Sequence, residues 1–478
     1  MASTATTPVP DSAAAELPAQ QMRWTPRLWG TLLVLCGALF LDGLDVSMVG
    51  VALPSIQADL GLSNSTLQWV VSGYVLGYGG LLLLGGRTAD LLGRRRVFLW
   101  SIAIFAVASL LGGLVNDPAL LVGTRFVKGV AAAFTAPAGL SIITTTFHEG
   151  PARNRALSFF TACGASGFSM GLIFGGLMTE VGWRWTFLLP VPIALAVLVA
   201  GIRLIPSDVQ ENIQKRGYDI AGAATVTGAL LLLVYAVVEA PAAGWLSART
   251  LGSYALVVAL LAAFVAIERR VAHPLVRLGI LRNRRLVGAN LAALTVTGSY
   301  FGFQFLGTQY AQVVLGWSPL TMALAFLPGG LIVAFGGPRT ARLINRFGTG
   351  PLVVAGLASF ITGYLLFLRI EGEPRYLAVI LPTMLLLGLG FAFAYPALNI
   401  QATAGVGDDE QGLASGLVQA SFQIGGAIVL AGVSAMIATA HPTPGAVPDS
   451  YYPAIWFVTG AAVFGLVVAL LGVRRSRA

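Results

Sequence analysis

Charge is what this chain has least of. Only 10% of its 478 residues are Asp, Glu, Lys or Arg, against about 25% in a typical soluble domain. Apolar residues make up 56%. One water-soluble core cannot hide that much apolar surface, so an integral membrane protein is expected. Cysteine is nearly absent. Cys36 and Cys163 are the only two. Both fall in predicted helices, which excludes a disulfide framework or a cysteine metal site. The three histidines, His148, His273 and His441, fall in predicted loops with no second ligand at useful spacing, so no metal is expected. No phosphate-binding G-x-x-x-x-G-K-[ST] loop occurs, so ATP is not the driver from this polypeptide. No catalytic set emerges, and an enzyme is not expected.

What the chain does have is a series of long apolar runs. Spanning helices are predicted near 28–53, 67–86, 97–115, 119–145, 156–179, 185–205, 219–238, 250–268, 286–314, 321–338, 351–370, 376–399, 412–437 and 452–472. That makes an all-α fold of fourteen spans, most of them longer than the roughly 20 residues a bilayer needs. The 58 glycines fit, because small residues let membrane helices approach closely.

The net charge of +9 does not point to nucleic acid, because the cations are unevenly placed. Of the 29 Lys and Arg, 23 fall in the tails and in one alternating set of loops, and Arg184, Arg249, Arg369 and Arg375 fall in the other set. The positive-inside pattern then puts both termini in the cytoplasm of a cell membrane and requires an even helix count. Residues 1–27 and 473–478 are expected to be cytoplasmic tails, the first disordered. The first apolar run is too long for a signal-peptide h-region.

The chain also repeats itself. GGRTADLLGRRR at 85–96 is echoed by GGPRTARLINRFG at 336–348. RNRALSFFTACGASGFSMGLIFGG at 153–176 is echoed by EQGLASGLVQASFQIGGAIVLAG at 410–432. Two six-helix halves, 28–205 and 286–472, are expected, with residues 206–285 holding an inserted helix pair and its loops. Parallel repeats of this kind are one architecture of secondary transporters.

Four charges lie inside spans. Asp42 and Asp45 sit three residues apart on the first, and Arg125 and Lys128 sit three apart on the fourth. Each charge at the centre of a spanning helix costs about 2.5–3.5 kcal/mol on insertion scales, so these faces must look at protein or water. Pairing across a cavity is expected, with one carboxylate exchanging a proton as its partnership changes. Gly86, Asp90, Gly93, Arg94 and Arg95 form a turn-and-charge cluster that reads as a cytoplasmic gate. Gly167, Gly171 and Gly175 form one helical stripe, with Gly176 beside it, expected to pack backbone-close against a helix of the opposite half. Candidate substrate contacts are Trp69, Tyr74 and Tyr78 on the second span, with Gln68 beside them. Asn290, Tyr300, Gln304 and Gln309 lie on the ninth, and Tyr395, Asn399, Gln419 and Gln423 on later spans. Aromatics with few hydrogen-bonding groups suit a large amphiphilic ligand. Glu180 is expected to pair with Arg184 at the outer rim, and Glu239 to sit exposed at an outer helix end.

These motifs resemble the fourteen-helix drug:proton antiporter branch of the major facilitator superfamily, over nearly the whole chain after residue 28. LDVSMVGVALP at 44–54 resembles the branch's first-helix L-D-x-T-V-V-N-V-A-L-P pattern. Asp45 matches, while Ser47 and Gly50 stand for Thr and Asn. GRTADLLGRRRVF at 86–98 is similar to the superfamily's loop motif. RFVKGVAAA at 125–133 resembles the helix-four motif, with Lys128 in place of Gln. GFSMGLIFGG at 167–176 is similar to the antiporter motif, with Leu172 in place of Pro, and GWRWTFLLPVPI at 182–193 also looks like the branch. The resemblance points to Asp45 as the proton-coupling acid, with Asp42 additional. It implies export of lipophilic or amphiphilic drugs or antibiotics by alternating access. The proton gradient would be the driver, with no cofactor, and the protein would act as a monomer among lipids. An uptake symporter, a lipid flippase or a non-transporting receptor or scaffold of the same fold are the alternatives.

If the 86–95 cluster is a gate, Asp90→Asn shifts the balance of inward and outward access and slows transport. Cysteine-accessibility labelling from each side of the membrane, read beside transport, checks this, and unchanged values in both would remove the gate.

Overall fold

The computed structural model describes residues 24–147, 151–206, 219–271, 278–406, 411–437 and 445–477. The three histidines, Lys215, Arg216 and most of the first tail lie outside them. The helices are α1 (Pro26–Leu60), α2 (Asn64–Leu92), α3 (Arg94–Leu114), α4 (Pro118–Thr146) and α5 (Pro151–Val181). The short α6 (Trp185–Leu188) and α7 (Pro190–Leu204) together form the sixth span. Then come α8 (Ile220–Ala243), α9 (Ala248–Glu268), α10 (Arg284–Gln309), α11 (Pro319–Phe347) and α12 (Thr349–Phe367). The last three are α13 (Leu381–Thr403), α14 (Gln411–Ile437) and α15 (Tyr451–Arg477). Five-residue π-helical turns at Tyr310–Val314 and Tyr376–Ile380 lengthen α10 and precede α13. Among the described residues, thirteen helices are long and apolar enough to cross a membrane, and α2, 29 residues long, completes the fourteen.

Helix is the only economical backbone here, because lipid offers no partner for an exposed N–H or C=O. Several helices outrun the apolar runs. The predicted first span ended at Leu53, before Pro54, but α1 continues through that proline to Leu60. It stops at Gly61, whose φ of 62° and ψ of 36° are left-handed and turn its N–H back to the Gln57 carbonyl. At the other end α1 takes in part of the expected disordered tail. Thr25 caps Leu28 N–H at 3.3 Å, and the Trp24 ring packs 4.7 Å from Trp29 and 5.2 Å from Phe147. The sixth span is broken at Leu189 because Pro190 opens α7 without an N–H to donate.

The helix pairings repeat. In the first six spans α1 packs on α5 and α7, α2 on α4, and α3 on α4 and α7. In the last six, α10 packs on α14 and α15, α11 on α13, and α12 on α13 and α15. The same fold is thus built twice. Gly93 and Gly348 sit at matching joints, α2–α3 and α11–α12, with φ of 96° and 82°, which explains the echo between 85–96 and 336–348. The two groups meet where α5 packs on α11 and α2 on α14. The inserted helices α8 and α9 pack on each other, and α8 leans on both α2 and α14.

Close approach rests on glycine. A Cβ on Gly129 would lie 2.0 Å from the Tyr74 carbonyl oxygen, and one on Gly77 would lie 2.4 Å from the Phe126 carbonyl, so α2 and α4 run nearly in contact. Gly388 and Gly329 do the same for α13 and α11 at 2.3 Å. The Gly167, Gly171 and Gly175 stripe differs from expectation. It lies on α1 of the same six, 2.2 Å from Phe40 O, 2.0 Å from Ser47 Oγ and 2.9 Å from Met48 Cα in the same sense. Only Gly176 faces the other six, 2.8 Å from Leu320 Cα on α11. The stripe faces α1 because Gly43 answers it there, 2.5 Å from the Gly164 carbonyl. α5 runs unbroken past Leu172, which has the N–H that proline lacks.

Gly129→Ala forces the α2–α4 backbones apart and destabilises by about 1–3 kcal/mol, as overpacking does. Gly123→Ala on the same helix meets nothing within 4 Å and leaves stability unchanged. Thermal unfolding of the two variants in detergent measures the difference.

Candidate functional site

Among the described residues, the most buried charges meet inside the first six helices. Asp45 on α1 is wholly buried, and so are Arg125 and Lys128 on α4. Lys128 Nζ donates to one carboxylate oxygen of Asp45 and Arg125 Nη1 donates to the other. Both cations have further holds. Arg125 Nε donates to the Val70 carbonyl at 2.9 Å, and its guanidinium lies 4.7 Å from the Tyr74 ring centre. Lys128 donates to Ser109 Oγ at 2.8 Å, and Ser109 in turn donates to the Phe187 carbonyl at 3.0 Å. The Lys128 ammonium sits 4.7 Å from the Phe105 ring and 5.3 Å from that of Phe187. The i, i+3 spacing of Arg125 and Lys128 aims both at one acid. Val70, Ser109, Phe105 and Phe187 were invisible as partners in the sequence, since none carries charge and only Phe187 falls within a motif, at 182–193.

Asp42 is placed differently. It is half-buried, and the Tyr74 hydroxyl donates to it. It lines a small pocket whose other lining residues are all apolar except Thr135. Leu35, Phe98, Thr135 and Phe160 line the same pocket, which runs from Asp42 toward the end of the bundle that carries Arg94–Arg96.

Around this cluster lies an aromatic zone shared by the two groups. Tyr74 and Tyr78 meet edge to face at 5.9 Å. Across from them Tyr395 of α13 stacks on Phe391 at 5.1 Å and on Phe422 of α14 at 4.6 Å. Gln419 shares a hydrogen bond with the Tyr395 hydroxyl at 3.4 Å. Tyr300 continues the zone, 5.0 Å from Phe391 and 6.0 Å from Phe168 of α5. Gln304 lines a second small pocket with Leu172, Tyr300 and Met384. Gln423 sits over Gly79 of α2. Asn399 donates to its own helix at Tyr395 O, 2.9 Å away.

Other candidates have helix-joining partners instead. Trp69 Nε1 donates to Glu239 of α8 at 2.9 Å, with its ring 5.9 Å from Tyr235. Glu239 is therefore only partly exposed and fixes the inserted pair to α2. Arg249 approaches Glu239 at 3.6 Å and donates to Tyr235. Asn290 accepts from Ser421 of α14 at 2.7 Å and donates to Leu286 O. Gln309 and Gln68 are buried on α10 and α2. The expected Glu180–Arg184 pair does not form. Arg184 bonds Asp59 at 2.9 Å and Asn116 at 2.6 Å, while Glu180 accepts from Ser318 of α11 at 2.7 Å. The loop between α5 and α6 turns at Gly182 and carries Arg184 toward α1.

At the turn cluster, Gly93 joins α2 to α3, and Arg95 donates to the Ile202 carbonyl near the end of α7 at 2.6 Å. Arg94 also has a partner. A Cβ on Gly86 would make an ordinary 3.6 Å contact with Pro137. The Asp90 side chain lies outside the described residues.

The two groups close on each other at the arginine-poor end. Val49, Val51 and Leu53 of α1 and Trp183 and Phe187 share one apolar cluster with Phe303, Tyr310, Met322 and Phe326 of the second group. Gln312 donates across to Val51 O at 2.9 Å. At the arginine-rich end, the core of Leu32, Leu35, Phe98, Ile142 and Phe160 draws on the first group alone.

Twice-built six-helix groups, sealed together at one end by an apolar cluster, with a buried acid and its cations inside the first group, define a membrane transporter. The chain belongs to the Major Facilitator Superfamily, whose family model matches residues 35–430. It is 39% identical over 461 residues to the puromycin resistance protein of Streptomyces alboniger, covering 93% of this chain and 91% of that one. It is 36% identical over 445 residues to the cephamycin export protein of Amycolatopsis lactamdurans, covering 92% and 91%. The tetracenomycin C resistance and export protein of Streptomyces glaucescens is 32% identical over 429 residues, covering 90% and 79%. In structure, a nucleoside transporter superposes with a TM-score of 0.65 at 13% identity, covering 92% of this chain and 98% of that one. A human organic anion transporter superposes with 0.63 at 17% identity, covering 93% and 100%. These two likenesses establish the fold.

Removing the charge of Asp45 leaves two buried cations unmatched. Asp45→Asn is expected to destabilise by about 3–5 kcal/mol, the scale for a broken buried pair. Adding Lys128→Met recovers part of that loss, so the two effects fall short of additive in a double-mutant cycle read by thermal unfolding.

Proposed function

We propose that the chain is a proton-driven exporter of lipophilic or amphiphilic antibiotics, working by alternating access in the plasma membrane. Three of its relatives are named for antibiotic resistance or export. The observation that carries the reading is the Asp42, Asp45, Arg125 and Lys128 cluster set beside an aromatic zone between the two groups. The aromatic zone supplies area for a large apolar ligand, with few groups to dictate its shape. The acids supply a place for a proton, and each proton entering gains about 2.3 kcal/mol per 100 mV of membrane potential.

In this reading residues 28–205 and 286–472 are the two rocking halves, and 206–285 carry the inserted pair. The arginine-rich end is cytoplasmic, with both termini, by the positive-inside pattern. The arginine-poor seal then makes this an inward-facing arrangement. Gly86, Asp90, Gly93, Arg94 and Arg95 act as the cytoplasmic gate, with Arg95 holding the end of α7. The Gly167–Gly175 stripe keeps α5 and α1 moving as one body, while Gly176 is the place where α5 turns against α11. Tyr74, Tyr78, Tyr300, Gln304, Tyr395 and Gln419 are the first choices for substrate contact. The protein works as a monomer, with protons and small lipophilic molecules as its partners.

Everted membrane vesicles test the reading. With an acid interior imposed, they accumulate puromycin or ethidium, and adding the drug draws protons out. Collapse of the pH gradient stops both. Accumulation indifferent to the gradient would overturn proton coupling, and none across a panel of lipophilic antibiotics would overturn export.

A further inference from the structure

We infer that Asp42, not Asp45, is the carboxylate that gains and loses the proton, and that Asp45 stays ionised as the fixed counter-ion of Arg125 and Lys128. The inference rests on the proton-driven reading above and assigns its chemistry to one residue.

Both oxygens of Asp45 are occupied, one by Lys128 and one by Arg125. The residue has no exposure at all. A proton arriving there would have to displace a cation, and would leave two buried cations facing a neutral acid. Asp42 carries none of these constraints. Among the described residues one hydrogen bond reaches it, from the Tyr74 hydroxyl. It is only half-buried, and its pocket runs along α1, α3, α4 and α5 toward the arginine-rich end. Leu35, at the far side of that pocket, is two helical turns below Asp42 on α1, about 10 Å along the axis. Among the described residues, Asp42 is the one charged residue lining that pocket, so its carboxylate borders open space that Asp45 lacks.

The groups that face Asp42 are Asp45 on α1, Tyr74 and Tyr78 on α2, Arg125 and Lys128 on α4, and Tyr395 on α13. With both acids ionised the two carboxylates balance the two cations. When Asp42 takes a proton from hydronium, only its own charge changes. The Asp45 cluster stays closed. The change is felt by Tyr74, which donates to Asp42 and meets Tyr78 edge to face at 5.9 Å. Those two rings join the carboxylate to the aromatic zone where substrate is proposed to sit.

Infrared difference spectra of the purified full-length protein, taken between neutral and mildly acid buffer without any ligand, test the assignment. One carboxylic-acid C=O band per molecule appears on acidification. Asp42→Asn abolishes it, and Asp42→Glu restores it at a shifted frequency. Asp45→Glu leaves it in place. If the band persists in Asp42→Asn, or never appears in the wild-type protein, the assignment is wrong. A parallel vesicle assay with ethidium separates the two readings. Loss of gradient-driven uptake in Asp42→Asn, with gradient-independent equilibration kept, agrees with the assignment. A wild-type protein that shows the band but no gradient-driven transport would sink the exporter and leave Asp42 as the protonated residue.

Discussion

The contact of Asp45 with Arg125 and Lys128 organises the first six helices. Three charges buried in a lipid-embedded bundle are stable only when each has a partner and remaining donors are satisfied. The partners come from almost every neighbour. α1 supplies the acid, α4 the cations, α2 a carbonyl and an aromatic face, and α3 a hydroxyl and a ring. The start of the sixth span supplies a second ring. The glycines make this geometry reachable. Gly129 follows Lys128 directly and lets α4 lie against the Tyr74 backbone. A larger residue there would move both cations away from Asp45.

The second six helices reuse the backbone design without the charges. Gly388 on Gly329 stands for the α2–α4 contact, and Gly425 against the Leu294 carbonyl stands for the α1–α5 contact. In place of ions, the space is filled by Tyr300, Phe360, Phe391, Tyr395 and Phe422. One group therefore buries three charges, and the other fills the corresponding space with aromatic rings. The inserted pair is tied to the first group by Glu239 on Trp69 and leans on the second through α14. It sits beside the boundary between the groups without adding charge to the buried cluster.

Much of this was legible in the residues. Apolar runs, cation asymmetry and the two echoed segments fall where α1 to α15 and their repeated pairings lie. Helix ends were less legible, because they are set by caps and not by hydropathy: Gly61 ends α1, and Pro190 splits the sixth span. The charged residues were visible, since a charge inside an apolar run stands out. Their partners were not. Ser109, Phe105, Phe187 and the Val70 carbonyl are ordinary membrane residues until packing aims them. The glycine stripe on α5 was read correctly as a close contact and assigned to the wrong neighbour. A period of four identifies a face but not what lies against it. Trp69 and Asn290 show the same limit, for a polar aromatic or an amide on a helix looks alike whether it faces ligand or a neighbouring helix.

The sequence by itself determined the solvent of this protein, the number of its spans, its duplicated plan and which residues place charge inside those spans. These follow from local composition and period, which act within a single helix. Only the tertiary structure decided which acid is locked and which is open. Asp42 and Asp45 differ by less than one helical turn, but one points at the cations of α4 and the other at Tyr74 and a small pocket. That difference depends on how four helices are rotated about their axes, a quantity set by the sum of their contacts and written at no single position in the chain.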